Sequence, residues 1–232
     1  MRFLTLIFGT VGSGKTAEMF KIINKLQEHN LRCQPAQFKK FVVFKPITET
    51  RSDQTTIISR TGQTFNQVIA VNNTQNLKLE IAKYPNHIII IEECQLFEIN
   101  SDDIQAFVAL IKELLKQNRQ IILGGLIQNS HGQKFDILSS LCSEADEIIN
   151  PHTTCNCGQI ASRSQRLQMG YPTPITDPIF LVDNSFSHDL GYSYEPRCND
   201  CFELPLEPHP NLKTFRSILA EIKDLKDQQN RP

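Results

Sequence analysis

Phe3-Leu4-Thr5-Leu6-Ile7-Phe8-Gly9-Thr10-Val11-Gly12-Ser13-Gly14-Lys15-Thr16 is an apolar run that passes straight into a glycine-rich turn. From Gly9 to Thr16 it satisfies the pattern G-x-x-x-x-G-K-[ST] at every fixed position. In such a turn, glycines let successive backbone N–H groups converge on the phosphates of a nucleotide. Lys15 then supplies a cation for the β and γ oxygens, and Thr16 offers a hydroxyl to Mg²⁺. Gly9, Gly12, Ser13, Gly14, Lys15 and Thr16 are therefore the nucleotide-binding candidates. The next residues, Ala17 to Leu26, keep a helical spacing of apolar side chains, which sets the turn at the positive end of a helix.

Further along, Phe41-Val42-Val43-Phe44, Gln67-Val68-Ile69-Ala70-Val71, Ile88-Ile89-Ile90-Ile91 and Gln120-Ile121-Ile122-Leu123 read as buried strands. Helical patterns at about 15–30, 75–84 and 102–118 alternate with them. The alternation predicts an α/β fold, a parallel sheet of the P-loop NTPase kind flanked by helices, over residues 1–150. At 232 residues and 40% apolar content the chain can bury one large core, or a core plus a small satellite. The formal charge of -1 predicts no nucleic-acid stripe and no membrane surface. No stretch has the length of a membrane span, and the start of the chain lacks the pattern of a secretory signal, so a cytoplasmic protein is expected. Seven cysteines in a reducing compartment point to metal ligands or free thiols.

The phosphate turn needs an acidic partner, and Glu92-Glu93 after four isoleucines supplies one at the mouth of a central strand. Side chains alternate along a strand, so the two glutamates point apart and can serve the metal and the nucleophile separately. Beyond Asn150-Pro151 the composition shifts to cysteine, proline and short polar stretches. Residues 151–210 read as a small lobe with little apolar material of its own. Two close pairs, Cys155/Cys157 and Cys198/Cys201, suggest a tetrahedral structural Zn²⁺ site holding that lobe together. The first pair is C-x-C, a tight spacing, and His152 offers an alternative ligand. Residues 211–232 carry Leu212, Phe215, Ile218, Leu219, Ile222 and Leu225 on helical spacing, which predicts a C-terminal helix and tail.

Taken in order, several segments resemble the type II thymidine kinases, the cellular deoxythymidine kinase family. They are the Lys15 loop, Lys45-Pro46-x-x-Glu49-x-Arg51, Glu92-Glu93-Cys94-Gln95, Gly125-Leu126, Cys157-Gly158-x-x-Ala161-x-x-Ser164-x-Arg166 and Tyr194-x-x-x-Cys198-x-x-Cys201. The resemblance implies transfer of the γ-phosphoryl of ATP to the 5′-hydroxyl of thymidine. It also implies a zinc-binding, lasso-type lobe over the nucleoside, and a homotetramer. By it, Glu93 is the general base, Arg51 stabilises transferring charge, and Glu49 stands near the metal. Glu92 and Gln95 join the set at the nucleotide and its Mg²⁺; Glu92 stands where the family usually has Asp, so water-mediated ligation is expected. Val11, Phe97, Leu126, Phe135, Ser164 and Tyr194 fall on nucleoside-facing positions. Cys94 stands where a smaller residue is usual and is expected to be oxidation-sensitive.

The chain departs from that pattern around the nucleoside. Val11 replaces a methionine, Ile127 and Ser130 stand where Asp and Phe are usual, and Ser59-Arg60-Thr61-Gly62 replaces a histidine-bearing segment. These changes favour an altered nucleoside preference over lost chemistry. Two other readings stay open: a P-loop NTPase in which Glu93 activates water, and a non-catalytic nucleotide-binding protein.

Overall fold

In the computed structural model, which describes residues 2–49, 52–98, 100–178 and 191–212, the opening apolar run becomes β1 (Phe3–Gly9), an inner strand of a six-stranded sheet. Its partners are β2 (Phe41–Pro46), β5 (Val68–Val71), β6 (Ile88–Ile91), β7 (Gln120–Leu126) and β8 (Glu147–Ile149). The order across the sheet is β5-β2-β6-β7-β1-β8, and every pairing is parallel. Parallel strands need crossover connections, and the helices that make them cover both faces. That is why β6 is four isoleucines rather than an alternating strand: Ile89 and Ile91 pack into one core layer while Ile88 and Ile90 pack into the other.

One layer lies under α1 (Lys15–Arg32), whose Met19, Phe20, Ile23 and Leu26 meet Ile7, Val43, Ile90 and Ile122. The other is closed by α2 (Thr74–Ala82), α3 (Ser101–Lys116) and α4 (Asp136–Leu141). Along α3, Phe107, Ile111, Leu114 and Leu115 are buried, and Ile104 and Val108 pack at the edge of the same layer, as the spacing predicts. Asn73 and Asn100 cap α2 and α3 by accepting bonds from backbone N–H groups of the first turn. The start of α1 differs: it begins after Gly14 at φ 94 with no side-chain cap, so no side chain competes with a ligand for its first amides.

Two smaller sheets complete the described fold. β3 (Ile57–Ile58) and β4 (Thr64–Phe65) form a short hairpin. β9 (Arg163–Gln168) lies between β10 (Tyr171–Pro172) and β11 (Tyr192–Arg197) in an antiparallel three-stranded sheet. Arg51 and residues 213–232, where the C-terminal helix is expected, lie outside the described residues. No helix among the described residues is long and apolar enough to cross a membrane.

Candidate active site

The turn after β1 is closed by the Ser13 N–H on the Thr10 carbonyl at 3.3 Å, with Gly12 at φ 75 and Gly14 at φ 94. Those are left-handed conformations that favour glycine. Gly9 is required for a different reason: a Cβ there would stand 2.6 Å from Ser13 Oγ. Lys15 Nζ donates to the Thr10 carbonyl at 2.8 Å, which folds the lysine back over its own loop.

The strand-end acids sit beside this loop. Thr16 donates its hydroxyl to Glu92 Oε1 at 3.0 Å, and Glu92 is only 3% exposed. The longer side chain of glutamate thus reaches the threonine directly. This hydroxyl and carboxylate are all-oxygen donors of the kind Mg²⁺ takes, so the pair fits that ion. Glu93 points elsewhere, as the alternation predicts, but the backbone contributes too: Glu93 lies at φ 51, turning the chain out of β6 into the 3₁₀ turn Cys94–Phe97. Gln95 then joins the ends of two strands. Its amide donates to Glu93 Oε2 at 2.5 Å, and its carbonyl oxygen accepts from the Leu126 N–H at 3.0 Å.

β7 lies between β6 and β1, and its exit is stripped of side chains where it would obstruct these contacts. A Cβ on Gly125 would stand 2.5 Å from Gln95 Oε1, and one on Gly124 would stand 2.6 Å from Met19 Cε. The Gln95 bridge therefore depends on glycine at 125. Cys94 is fully buried beneath it, and its thiol pKa is pushed well up, first by burial and then by the charges of Glu93 and Glu92. A buried thiol held in its protonated form resists oxidation, so the expected sensitivity of Cys94 is corrected.

Lys45, next to last in β2, has no exposed surface. It donates to Glu49 Oε2 at 3.0 Å, Ser52 Oγ at 2.9 Å, and the carbonyls of Asp53 and Thr56 at 2.6 and 2.9 Å. Glu49 therefore works as the anion for Lys45, and the same ammonium holds Ser52, Asp53 and Thr56 against β2.

The small sheet meets the phosphate loop from the other side. Ser164 Oγ accepts the Val11 N–H at 3.0 Å, so this hydroxyl and the loop position Val11 are joined directly. In the β9–β11 ladder, Ser164 lies opposite Pro196 and Arg166 opposite Tyr194. Directly opposed residues share a face, and Pro196 Cγ comes 3.9 Å from where a Cβ on Gly12 would stand. Tyr194, 38% exposed, is thus presented on the face that looks toward the loop. Leu126 is half-buried as the last residue of β7, and Phe135 is buried at the start of α4. Phe97 belongs to the main core, its ring 5.2 Å from Phe107.

The four sulfurs of Cys155, Cys157, Cys198 and Cys201 all lie within 4.8 Å of one another, with Cys157 and Cys198 at 3.6 Å. Thiolates about 2.3 Å from a tetrahedral zinc are about 3.8 Å apart, so the cluster fits that ion. The C-x-C turn closes without strain on Cys157: the Gly158 N–H bonds the Cys155 carbonyl at 2.8 Å, and Gly158 takes the positive φ of 88. His152 is not part of the cluster. Backbone N–H groups of Cys157 and Cys198 lower the Cys155 thiol to about 6, whereas hydrogen bonds from the neighbouring cysteines push the Cys201 thiol up.

The lobe also holds a buried polar group that carries no motif. Arg166, with no exposed surface, donates to Thr173 Oγ1 at 3.1 Å and the Pro178 carbonyl at 2.6 Å, lies 3.7 Å from Asp177 and stacks near Tyr192. Tyr192 donates to the same Asp177 at 3.3 Å. Of these residues only Arg166 stood out in the sequence. A second residue gains meaning only in three dimensions: Arg60, at the tip of the β3–β4 hairpin, brings its guanidinium NH1 to 3.1 Å from where a Cβ on Gly12 would stand.

The family model described as thymidine kinase matches residues 2–202. A thymidine kinase of Coprothermobacter proteolyticus is 32% identical over 204 residues, 88% of this chain and 91% of that protein. Among solved structures, the Legionella pneumophila ATPase DotB superposes with a TM-score of 0.38 at 12% identity, covering 68% of this chain, which spans 43% of the length of that ATPase chain.

Proposed function

Because the chain belongs to the thymidine kinase family, we propose that it phosphorylates thymidine at the 5′-hydroxyl with ATP as donor, in nucleotide salvage. The observation that carries this reading is the bond from the Thr16 hydroxyl to Glu92 at 3.0 Å, which sets the strand-end acids against the phosphate loop. Phosphoryl transfer asks a protein mainly to position the reactants and neutralise charge. The open amides at the start of α1 and Lys15 hold the donor phosphates. Thr16 and Glu92 would hold Mg²⁺, which screens the β and γ oxygens when bound. Glu93, turned away from Glu92 and oriented by Gln95, accepts the proton of the 5′-hydroxyl. Arg51 adds positive charge.

The acceptor is enclosed between the loop and the small lobe. Val11, Leu126 and Phe135 offer apolar contacts, Phe97 backs the site from the core, and Tyr194 covers the nucleoside from β11. Ser164 fixes the loop by accepting the Val11 N–H. The zinc-binding lobe, its Cys155, Cys157, Cys198 and Cys201 ligands, the type II subclass, a cytoplasmic location and a homotetramer complete the reading. Val11, Ile127 and Ser130 make the pocket roomier than the family pattern and shift nucleoside choice toward relaxed selectivity.

One assay tests the reading. With Mg-ATP and a panel of deoxynucleosides, both ADP and nucleoside monophosphate are followed. Coupled formation of ADP and thymidine monophosphate is expected. ADP alone would make the protein an NTPase, and neither product would make it a binding protein.

A further inference from the structure

We propose that Arg60 is a second cation of the donor site, delivered by the β3–β4 hairpin onto the terminal phosphates of the bound nucleoside triphosphate. The proposal rests on the nucleotide-binding half of the reading above and extends it to a residue outside the phosphate loop. The hairpin is fixed at its base and overhangs at its tip. Ile57 is buried and Phe65 packs 6.1 Å from Phe41, whereas Ile58 and Arg60 are exposed. The tip is a closed turn: the Ser59 N–H bonds the Gln63 carbonyl at 2.9 Å, the Gly62 N–H bonds the Ser59 carbonyl at 3.0 Å, and Ser59 Oγ accepts the Gln63 N–H at 3.0 Å. Gly62 takes the positive φ of 83 that this turn demands.

Arg60 therefore projects from a defined support, and its destination is the phosphate loop. NH1 lies 3.1 Å, and the guanidinium carbon 3.8 Å, from where a Cβ on Gly12 would stand. Glycine at 12 is what leaves that approach open. The Lys15 ammonium meets the loop at Thr10 and the Arg60 guanidinium meets it at Gly12, so two cations address it at separate points. A planar fork of N–H donors matches phosphate oxygens in a way a histidine ring cannot. An arginine supplied in cis to a phosphate loop stabilises charge on the transferring phosphoryl group. The sequence departure at Ser59-Arg60-Thr61-Gly62 is thus a change in donor handling, separate from the changes around the nucleoside.

The test is to compare Arg60→Ala and Arg60→Lys with the parent protein. Calorimetric titration uses the β,γ-imido analogue of ATP, ADP and AMP, and steady-state kinetics vary ATP and thymidine separately. Arg60→Ala is expected to weaken the triphosphate analogue about tenfold or more, ADP less, and AMP not at all, since a charge-assisted bond is worth about 1.5–3 kcal/mol. KM for ATP rises while KM for thymidine holds, and Arg60→Lys recovers part of the loss. Unchanged triphosphate affinity in a variant with the parent's melting temperature would overturn the proposal, as would an equal loss for AMP. A parent protein that binds the analogue yet makes no thymidine monophosphate would defeat the kinase reading alone, and the titrations would still decide Arg60.

Discussion

Glu93 shows how much one backbone conformation can do. At φ 51 it occupies a region that costs a non-glycine residue about 1–3 kcal/mol, and the surrounding bonds hold it there. The Gln95 amide pins its carboxylate, and the same amide's oxygen is pinned in turn by the Leu126 N–H. Two adjacent glutamates consequently serve different partners, Glu92 on Thr16 and Glu93 on Gln95. Glu93→Gln keeps the shape and removes the proton acceptor. It is expected to lower nucleoside phosphorylation about 10²–10⁴-fold while ATP affinity stays within twofold, measured by turnover and calorimetry on the same preparation. Retained turnover would take the base role from Glu93. The pair itself was legible, because four isoleucines announce a central strand and acids at its mouth have few structural uses. The left-handed turn was not, since glutamate carries no local signal for positive φ.

At the scale of elements, the segment between β2 and the hairpin is organised by a single buried cation. Lys45 and Glu49 are 0% and 5% exposed at their side chains and 3.0 Å apart, and Ser52 Oγ and two carbonyls also accept from the ammonium. Removing one member of such a pair strands the other charge in the interior. Lys45→Met is expected to destabilise the protein by about 3–5 kcal/mol in urea unfolding, and Lys45→Met with Glu49→Gln to recover much of that loss. Equal destabilisation by the single and double variants would show that packing, not charge, is at stake. The strands and helices of the main sheet were legible because apolar runs and 3.6-residue spacing dominate them. β3 and β4 are two residues each and leave no period to read. β9 misleads for the opposite reason: Ser164, Gln165 and Arg166 are polar yet buried, Ser164 bonded to the phosphate loop and Gln165 and Arg166 to other parts of the lobe rather than packed in an apolar layer.

For the molecule as a whole, the cysteine cluster closes the end of the lobe's small sheet at which β9 begins and β11 finishes. Cys155 and Cys157 precede β9, and Cys198 and Cys201 follow β11. The lobe's face against the phosphate loop, Ser164 and Pro196 included, hangs on that closure. Protein purified without chelator is expected to carry stoichiometric zinc. Stripping it should abolish phosphorylation and raise hydrogen exchange across 155–201 while the β1–β7 ladder stays protected. Full activity in metal-free protein would defeat the structural role. The four cysteines were legible from spacing alone; that a C-x-C turn suffices became visible only with Gly158 at positive φ.

The sheet order has a consequence for how the protein is made. β1 leaves the ribosome before the other five strands of its sheet, yet its neighbours are β7, which ends at Leu126, and β8, which ends at Ile149. Its backbone therefore waits unpaired while β2, β5 and β6 can already assemble beside one another. At about 5–20 residues per second, the interval between Gly9 and Leu126 is roughly 6–25 s. During synthesis the phosphate loop thus precedes the strands that anchor it, so nucleotide in the cell meets a working loop only after Leu126 has been made.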